Sequence, residues 1–530
     1  MAREDREPGQ ASSGADEIVR TLVDAGVELC FANPGTSEMH FLAALDRRPG
    51  IRCVLGLAET VVTGAADGYA RIAGKSAVTL LHTGPGLANG LANLHNARRA
   101  PAPILNIVGD HATHHLAFDT PLVSDVAGFA APVSHWVRRV EPGESMAAVT
   151  LEALKQARAG AGRVATMILP ADVSWSEAQL QPCEPEPPAP QPRLPDATAA
   201  AEALRAEGSM LLLGGKIDAA RLERAASVAA ATGARLAVTT FPARVASGAG
   251  RPRVERLPYL PEMLHATMAG VKQLVIAGAR RPATFFAYPD IVGDAVPQGC
   301  AVHIIAGHDD PIEASLDALA RALGTASPTS NVPIPAPRPS GALNPFSLAQ
   351  AIAAVLPEQA ILVDEAITGG MALFPVLASA APHDWLFQTG GAIGWGLPAA
   401  VGAALAAPQR KVLCVEGDGS ALYSIPALWT MAREGLDVTV VIVANRDYAI
   451  LKHEYARVRA DGMGRTVEAM MSIGRPDIDF VALAGGFGMT AVRAESAEVL
   501  TAALAAAFAD PGPHLIEAVM PSLDIVGLVR

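Results

Sequence analysis

Short apolar runs, each closed by glycine, proline or a polar residue, alternate along the chain with stretches of helical spacing. From 15 to about 170 the pattern predicts helices at 15–25, 39–45 and 60–72 and strands at 29–31, 52–55, 78–81, 104–108 and 164–169. A second unit over about 198–323 has strands at 210–213, 235–238, 273–276 and 301–305. A third, from about 344 to the end, has them at 361–363, 412–415, 438–443 and 514–519. Strands alternating with helices build parallel sheets, because a parallel crossover needs a helix's length of chain. The predicted fold class is α/β, three doubly wound parallel-sheet domains. Two proline-rich tracts divide them, CEPEPPAPQPRLPDA at 183–197 and TASPTSNVPIPAPRPSGALNP at 325–345, neither suited to helix or sheet. The expected domains are therefore 1–182, 198–324 and 344–530, with linkers at 183–197 and 325–343.

Composition narrows what such a fold serves. Of 530 residues half are hydrophobic and 18% charged, which suits sheets buried on both faces. A net charge of -12 without a basic cluster argues against a nucleic-acid surface. Apolar stretches such as 393–407 carry glycine and proline and stop short of a membrane span, and MAREDREPGQASSGA at the N-terminus has no signal-peptide core. The five cysteines, Cys30, Cys53, Cys183, Cys300 and Cys414, are scattered and lack zinc spacing, as expected for reduced thiols of a cytoplasmic protein. Small molecules and other copies of the chain are the expected partners.

The stretch 412–451, VLCVEGDGSALYSIPALWTMAREGLDVTVVIVANRDYAIL, carries the most chemistry. Two apolar runs flank a helix predicted at 425–434, with Gly435 in the stop position. Parallel strands then set Asp418 and Asn445 side by side at their carboxyl ends, the usual crevice of an open α/β sheet. One anionic oxygen, one amide oxygen and a backbone carbonyl make half of an octahedral Mg²⁺ shell. A dinucleotide loop is the alternative, but Leu422 stands where its third glycine belongs.

Gly417-Asp418-Gly419 followed by Asn445 resembles the GDG...N signature of thiamine diphosphate enzymes, and Glu59 with ADGYAR at 66–71 resembles a second segment of that family. The resemblance implies pyrimidine-binding, central and diphosphate-binding domains, in the order of the pyruvate decarboxylase and acetohydroxy acid synthase branch. It implies Asp418, Asn445 and the main-chain carbonyl of Asp447 as Mg²⁺ ligands, and a diphosphate cradle of Thr368, Gly369, Gly370, Gly417, Gly419 and Ser420, with Tyr448 beside it. Gly391 and Ile393, in the turn 390–394, would meet the cofactor, Ile393 as the wedge that bends it; core packing is the plain alternative for Ile393. Glu59 would hydrogen-bond the aminopyrimidine, although a carboxylate in a first helical turn also serves as a cap. Two departures stand beside these motifs, Ala58 where many relatives have His and Ala444 where the family often has Asn. Relatives bury the cofactor between two subunits, so a homodimer or homotetramer is implied.

The substrate side is less uniform. Asn33-Pro34-Gly35 is a tight turn that in the benzoylformate decarboxylase group lines the active site, with Thr36 as the matching hydroxyl or, equally, an N-cap for a helix at 37–45. His82 looks like that group's pocket histidine, able to bind a carboxylate or carry a proton; a strand-end histidine is otherwise structural. His114-His115 reads as a solvated loop. The central region lacks flavin-loop text, Gly214-Gly215-Lys216 being weak on its own, and its segment 279–290 has no histidine, offering Phe285, Phe286 and Tyr288 instead. Ile450 and Glu454 would face the pocket from one helix side, while Lys452, Arg457, Arg459 and Arg465 either recruit an anion or form an exposed basic face. The expected function is thiamine diphosphate- and Mg²⁺-dependent, non-oxidative decarboxylation of a 2-oxo acid, benzoylformate decarboxylase-like and possibly with carboligation. An acetolactate synthase-like carboligase, an acyl-CoA lyase, a flavin-dependent pyruvate oxidase and a non-catalytic homologue are the alternatives.

Overall fold

The computed structural model describes residues 12–178, 196–334, 337–458 and 462–522. Most of the first proline-rich tract, with Cys183, and Arg459 lie outside the described residues. The chain forms three α/β domains, each around a sheet. In the first, β1 (Leu29–Asn33), β2 (Arg52–Leu55), β3 (Ala77–His82), β4 (Ile104–Asp110), β5 (Trp136–Arg139) and β6 (Val164–Pro170) lie in the order β2-β1-β3-β4-β6-β5, all parallel. β6 is buried throughout, hence apolar text broken only by Thr166.

The middle of the chain supplies β7 (Ser209–Leu213), β8 (Lys216–Ile217), β9 (Arg235–Val238), β10 (Arg244–Ser247), β11 (Glu255–Arg256), β12 (Gln273–Ala277) and β13 (Ala301–Ala306). Five of them make a parallel sheet ordered β11-β9-β7-β12-β13. The other two leave it. The third sheet contains β14 (Ala360–Glu365), β15 (His383–Phe387), β16 (Val412–Gly417), β17 (Val438–Ala444), β18 (Thr490–Ala494) and β19 (His514–Val519), and it runs β18-β19-β17-β16-β14-β15-β10-β8. β10 pairs antiparallel with β15 and is the exception to an otherwise parallel arrangement. Among the described residues no helix is long and apolar enough to cross a membrane.

The first and third domains meet through two helices, Glu59–Ala73 and Gly396–Ala406, packed backbone to backbone. A Cβ on Gly68 would overlap the Ala399 carbonyl, and one on Gly402 the Ala65 carbonyl, so glycine is what permits this approach. Both helices enter one apolar core with Leu81, Leu397 and Val412. Arg71 is buried beside that seam, where its guanidinium pairs with Asp67, donates to the Phe387 carbonyl (2.6 Å) and Thr389 (3.1 Å), and lies 4.5 Å from the Trp395 ring centroid. Trp395 Nε1 closes the network on Asp67 at 2.7 Å. A buried charge this fully partnered ties the two domains together.

Candidate active site

β1, β2 and β3 end side by side, and their parallel direction brings the segments after them to one crevice. Glu59 opens the helix that follows β2 and is buried, with Asn33 Nδ2 donating to its Oε1 at 3.1 Å and Asn89 Nδ2 to its Oε2 at 3.2 Å. Asn33 is the last residue of β1; Asn89 lies on the helix Thr83–Arg99. Gly86 of that helix separates Glu59 from His82: a Cβ there would sit 3.0 Å from Glu59 Oε1 and 3.4 Å from His82 Cβ. His82 Nδ1 is 2.9 Å from Glu38 Oε2, and the same oxygen accepts from the Gly35 N–H at 2.8 Å. Burial pushes the Glu38 carboxyl up, and the His82 imidazole draws it back. After Pro34, Thr36 is exposed and begins a single 3-10 turn, Thr36–Glu38. The next helix, Met39–Arg47, has Glu38 at its N-cap and no side-chain cap bond, so the N-cap role open to Thr36 is not the one it takes. His114 and His115 are exposed as expected, on a 3-10 helix, Thr113–Phe118.

The third domain gathers a second group at the ends of β14, β16 and β17. Asp418 is 4% exposed; its Oδ1 accepts from the Gly419 N–H (2.9 Å) and its Oδ2 from the Arg446 N–H (2.6 Å). No cationic side chain pairs with it among the described residues, and burial pushes its carboxyl up to about 6 against those backbone bonds. Asn445 Oδ1 accepts the Asp447 N–H at 3.0 Å. The Asp447 carboxylate is taken by Lys452 at 2.7 Å, leaving its main-chain carbonyl. Tyr448 lies over Gly419. Ser420 Oγ donates to Glu416 Oε1 at 2.6 Å, while Thr368 and Gly369 are buried in the turn after β14, Gly369 N–H bonding the Ala366 carbonyl at 2.9 Å. Gly417 ends β16.

Beneath this turn two glutamates face each other. Glu365 collects the N–H groups of Gly394 (3.1 Å), Trp395 (2.8 Å) and Gly396 (2.6 Å) and the Gln388 amide (2.7 Å), and burial pushes it up to about 7. Glu416, opposite it in register, is driven well up by burial and by the Glu365 charge. Glu365 from below and Asn93 and Asn96 from the first domain pin the turn that carries half-buried Ile393.

Phe285 lies against Gly391 and heads an aromatic group with Phe286, Tyr259 and Phe241 at centroid distances of 5.2, 5.3 and 6.0 Å. Ile450 is half-buried on the helix Ala449–Val458, and Glu454 on the same helix accepts from the Tyr288 hydroxyl at 2.9 Å. Of the two roles open to the basic residues here, an anion-recruiting or an exposed basic face, neither is free at Lys452 and Arg457: Lys452 is spent on Asp447, and Arg457 on Glu262, on Glu454 at 3.5 Å and on the Tyr288 ring at 5.1 Å.

Two family models match the chain, the thiamine pyrophosphate enzyme N-terminal TPP binding domain over residues 12–129 and the C-terminal TPP binding domain over 368–518. The chain belongs to the thiamine pyrophosphate enzyme family. It is 51% identical to the Mycobacterium tuberculosis protein named "Putative acetolactate synthase large subunit IlvX", over 96% of its own length and 99% of the relative's. To the benzoylformate decarboxylase of Pseudomonas aeruginosa it is 30% identical, covering 95% and 98%. Its fold matches that of the solved Rhodococcus jostii RHA1 thiamine diphosphate-dependent 4-hydroxybenzoylformate decarboxylase with a TM-score of 0.82 at 24% identity, covering 97% and 100%. The protein is thus a thiamine diphosphate-dependent enzyme of the decarboxylase and acetolactate synthase family.

Among the described residues no hydrogen bond or ion pair joins the Glu59 group to the Asp418 group. Sequence reasoning missed Glu38, Asn89 and Glu365. Glu38 reads as an ordinary acid at a helix start, and its partner is 44 residues away.

Proposed function

We propose that the protein decarboxylates a 2-oxo acid without oxidation, using thiamine diphosphate and Mg²⁺, in a site shared by two copies of the chain. The observation that carries the reading is the placement of Glu59 and His82 on either side of Gly86, a buried carboxylate beside a partly open imidazole. Asp418 supports the metal: a buried carboxylate without a cationic partner, next to an amide oxygen and a carbonyl, is the hard-oxygen donor set that Mg²⁺ takes with a diphosphate.

In this reading Asp418, Asn445 and the Asp447 carbonyl hold Mg²⁺, and Thr368, Gly369, Gly417, Gly419, Ser420 and Tyr448 seat the diphosphate. Gly391 and Ile393 support the middle of the cofactor; Asn33, Pro34 and Gly35 border its ring. When bound, the cofactor supplies the electron sink that lets CO₂ depart. Glu59 fixes the protonation of the aminopyrimidine, and His82 carries a proton to the substrate carbon that has lost CO₂. Thr36, Phe285, Phe286, Ile450 and Glu454 shape the pocket, three of them apolar, which favours an acid with a hydrophobic substituent.

A second copy is supported by exposed apolar side chains rimming both groups, Leu57 (45%) near Glu59 and Tyr423 (58%) near Ser420. The second reading, ligation of the decarboxylated fragment to another carbonyl, draws on the 51% relative and on the histidine-free segment 279–290. A screen of 2-oxo acids with the Mg²⁺-reconstituted enzyme, scoring CO₂, aldehyde and ligated product together, decides. Aldehyde in step with CO₂ is expected; ligated product alone supports the second reading, and no CO₂ from any acid rejects both.

A further inference from the structure

Glu38 has no task in that mechanism, yet it is built in from several sides. It is 2% exposed, and a carboxyl so placed costs free energy unless its oxygens are matched. Oε2 is matched twice, by the Gly35 N–H and by His82 Nδ1. Oε1 has no hydrogen-bond partner and is pressed against Gly109 at the end of β4, where any Cβ would overlap it. On the far side, a Cβ on Gly35 would overlap the His82 ring. Two glycines from different strand ends thus make room, one for the carboxyl and one for the imidazole. A helix-start acid that merely capped the Gly35 N–H would need neither clearance.

Which ring nitrogen carries the hydrogen follows from the state of Glu38. An ionised carboxylate only accepts, so Nδ1 must donate, and a neutral His82 then keeps its lone pair on Nε2. The side chain is 23% exposed, so the imidazole is not sealed from the crevice. Glu59 is a second titratable group at hand, across Gly86.

We propose that Glu38 is the positioning residue for His82: it holds the ring in the Nδ1–H tautomer and steadies the imidazolium formed when Nε2 takes a proton. The inference rests on His82 as the proton carrier. Nε2 takes up a proton from water, passes it to the substrate carbon that has lost CO₂, and returns to the neutral Nδ1–H form; Glu38 stays ionised throughout and never touches the substrate. An acid that instead kept its own proton would donate to Nδ1 and leave the hydrogen on Nε2, useless for accepting one.

The test is the ¹⁵N spectrum of His82 in apoprotein labelled at histidine, assigned by loss of the signal in His82→Asn. Wild type is expected as the Nδ1–H tautomer. Glu38→Gln should mix or invert it and, in the reconstituted enzyme, lower kcat by about 10- to 100-fold with KM within about threefold, while Glu38→Asp restores the tautomer and part of kcat. An Nε2–H wild-type ring, or Glu38→Gln with tautomer and kcat both unchanged, overturns the proposal. Should Glu38→Gln fail to fold, the wild-type and Glu38→Asp tautomers decide. Absence of turnover on every 2-oxo acid would remove the proposed function, whereas the tautomer result in apoprotein is read independently of it.

Discussion

Glu59, Asp418 and Lys216 show how one side chain's surroundings set what it can do. Glu59→Gln keeps the shape of the carboxyl and its Asn33 and Asn89 neighbours; turnover should fall by about 100-fold or more while thiamine diphosphate affinity, measured by fluorescence titration, stays within a few-fold. Asp418→Asn should instead weaken cofactor binding and make it insensitive to Mg²⁺, as a titration with and without EDTA would record. Lys216 bears on stability. Burial, with Arg221 and Arg71 nearby, lowers its pKa from 10.5 to about 8, and its Nζ donates to the Ala161 carbonyl at 2.8 Å. Between those two values the unfolded chain holds a proton that the folded one has lost, so this group makes stability rise with pH from about 8 to 10.5, by roughly 3 kcal/mol at most. Lys216→Met should flatten that slope in urea melts. At this scale the sequence was legible where the motif text is local: Gly417-Asp418-Gly419, and Glu59 ahead of ADGYAR, fall within the stretches that the two family models match. Glu38, Asn89 and Glu365 were not, because each acquires meaning from a partner on another element.

Elements were legible in proportion to their apolar regularity. Arg52–Leu55, Arg235–Val238 and His514–Val519 agree with the pattern to the residue. The helix Thr83–Arg99 escaped it, since Thr83, Gly84, Pro85, Gly86 and Gly90 are poor helix text, and the segment is helical because packing on the Glu59 helix and on β4 outweighs propensity. β15 and β10 escaped for another reason: a five-residue run, HDWLF, and a four-residue one, RVAS, are defined by pairing with each other across a long stretch of chain. The seam between the helices Glu59–Ala73 and Gly396–Ala406 makes a sharp prediction. Gly68→Ala and Gly402→Ala each place a methyl on a backbone carbonyl that cannot swing aside, and each should cost about 1–3 kcal/mol or more, seen as a lower Tm. Because Glu59 opens the same helix, cofactor affinity should drop as well.

Over the whole molecule, the proposed site shared by two copies predicts that inactive variants rescue each other. Mixing Glu59→Gln with Asp418→Asn under subunit exchange should restore about a quarter of wild-type turnover, since half the random dimers carry one intact site; no recovery would place both groups in a single-chain site. The three-sheet layout was legible from strand–helix alternation, whereas the seating of β10 and β8 on the third sheet was not, as nothing in their short text names their neighbour. That seating bears on any attempt to recombine modules. A transplant that replaces 198–324 wholesale would strip β15 of its antiparallel partner and offer a fully buried strand, HDWLF, as a bare edge open to stray pairing between chains. Grafts meant to exchange the middle unit must therefore carry the host's own 216–217 and 244–247 within the donor, and the inheritable unit of this architecture is a sheet together with its borrowed border rather than a continuous length of sequence.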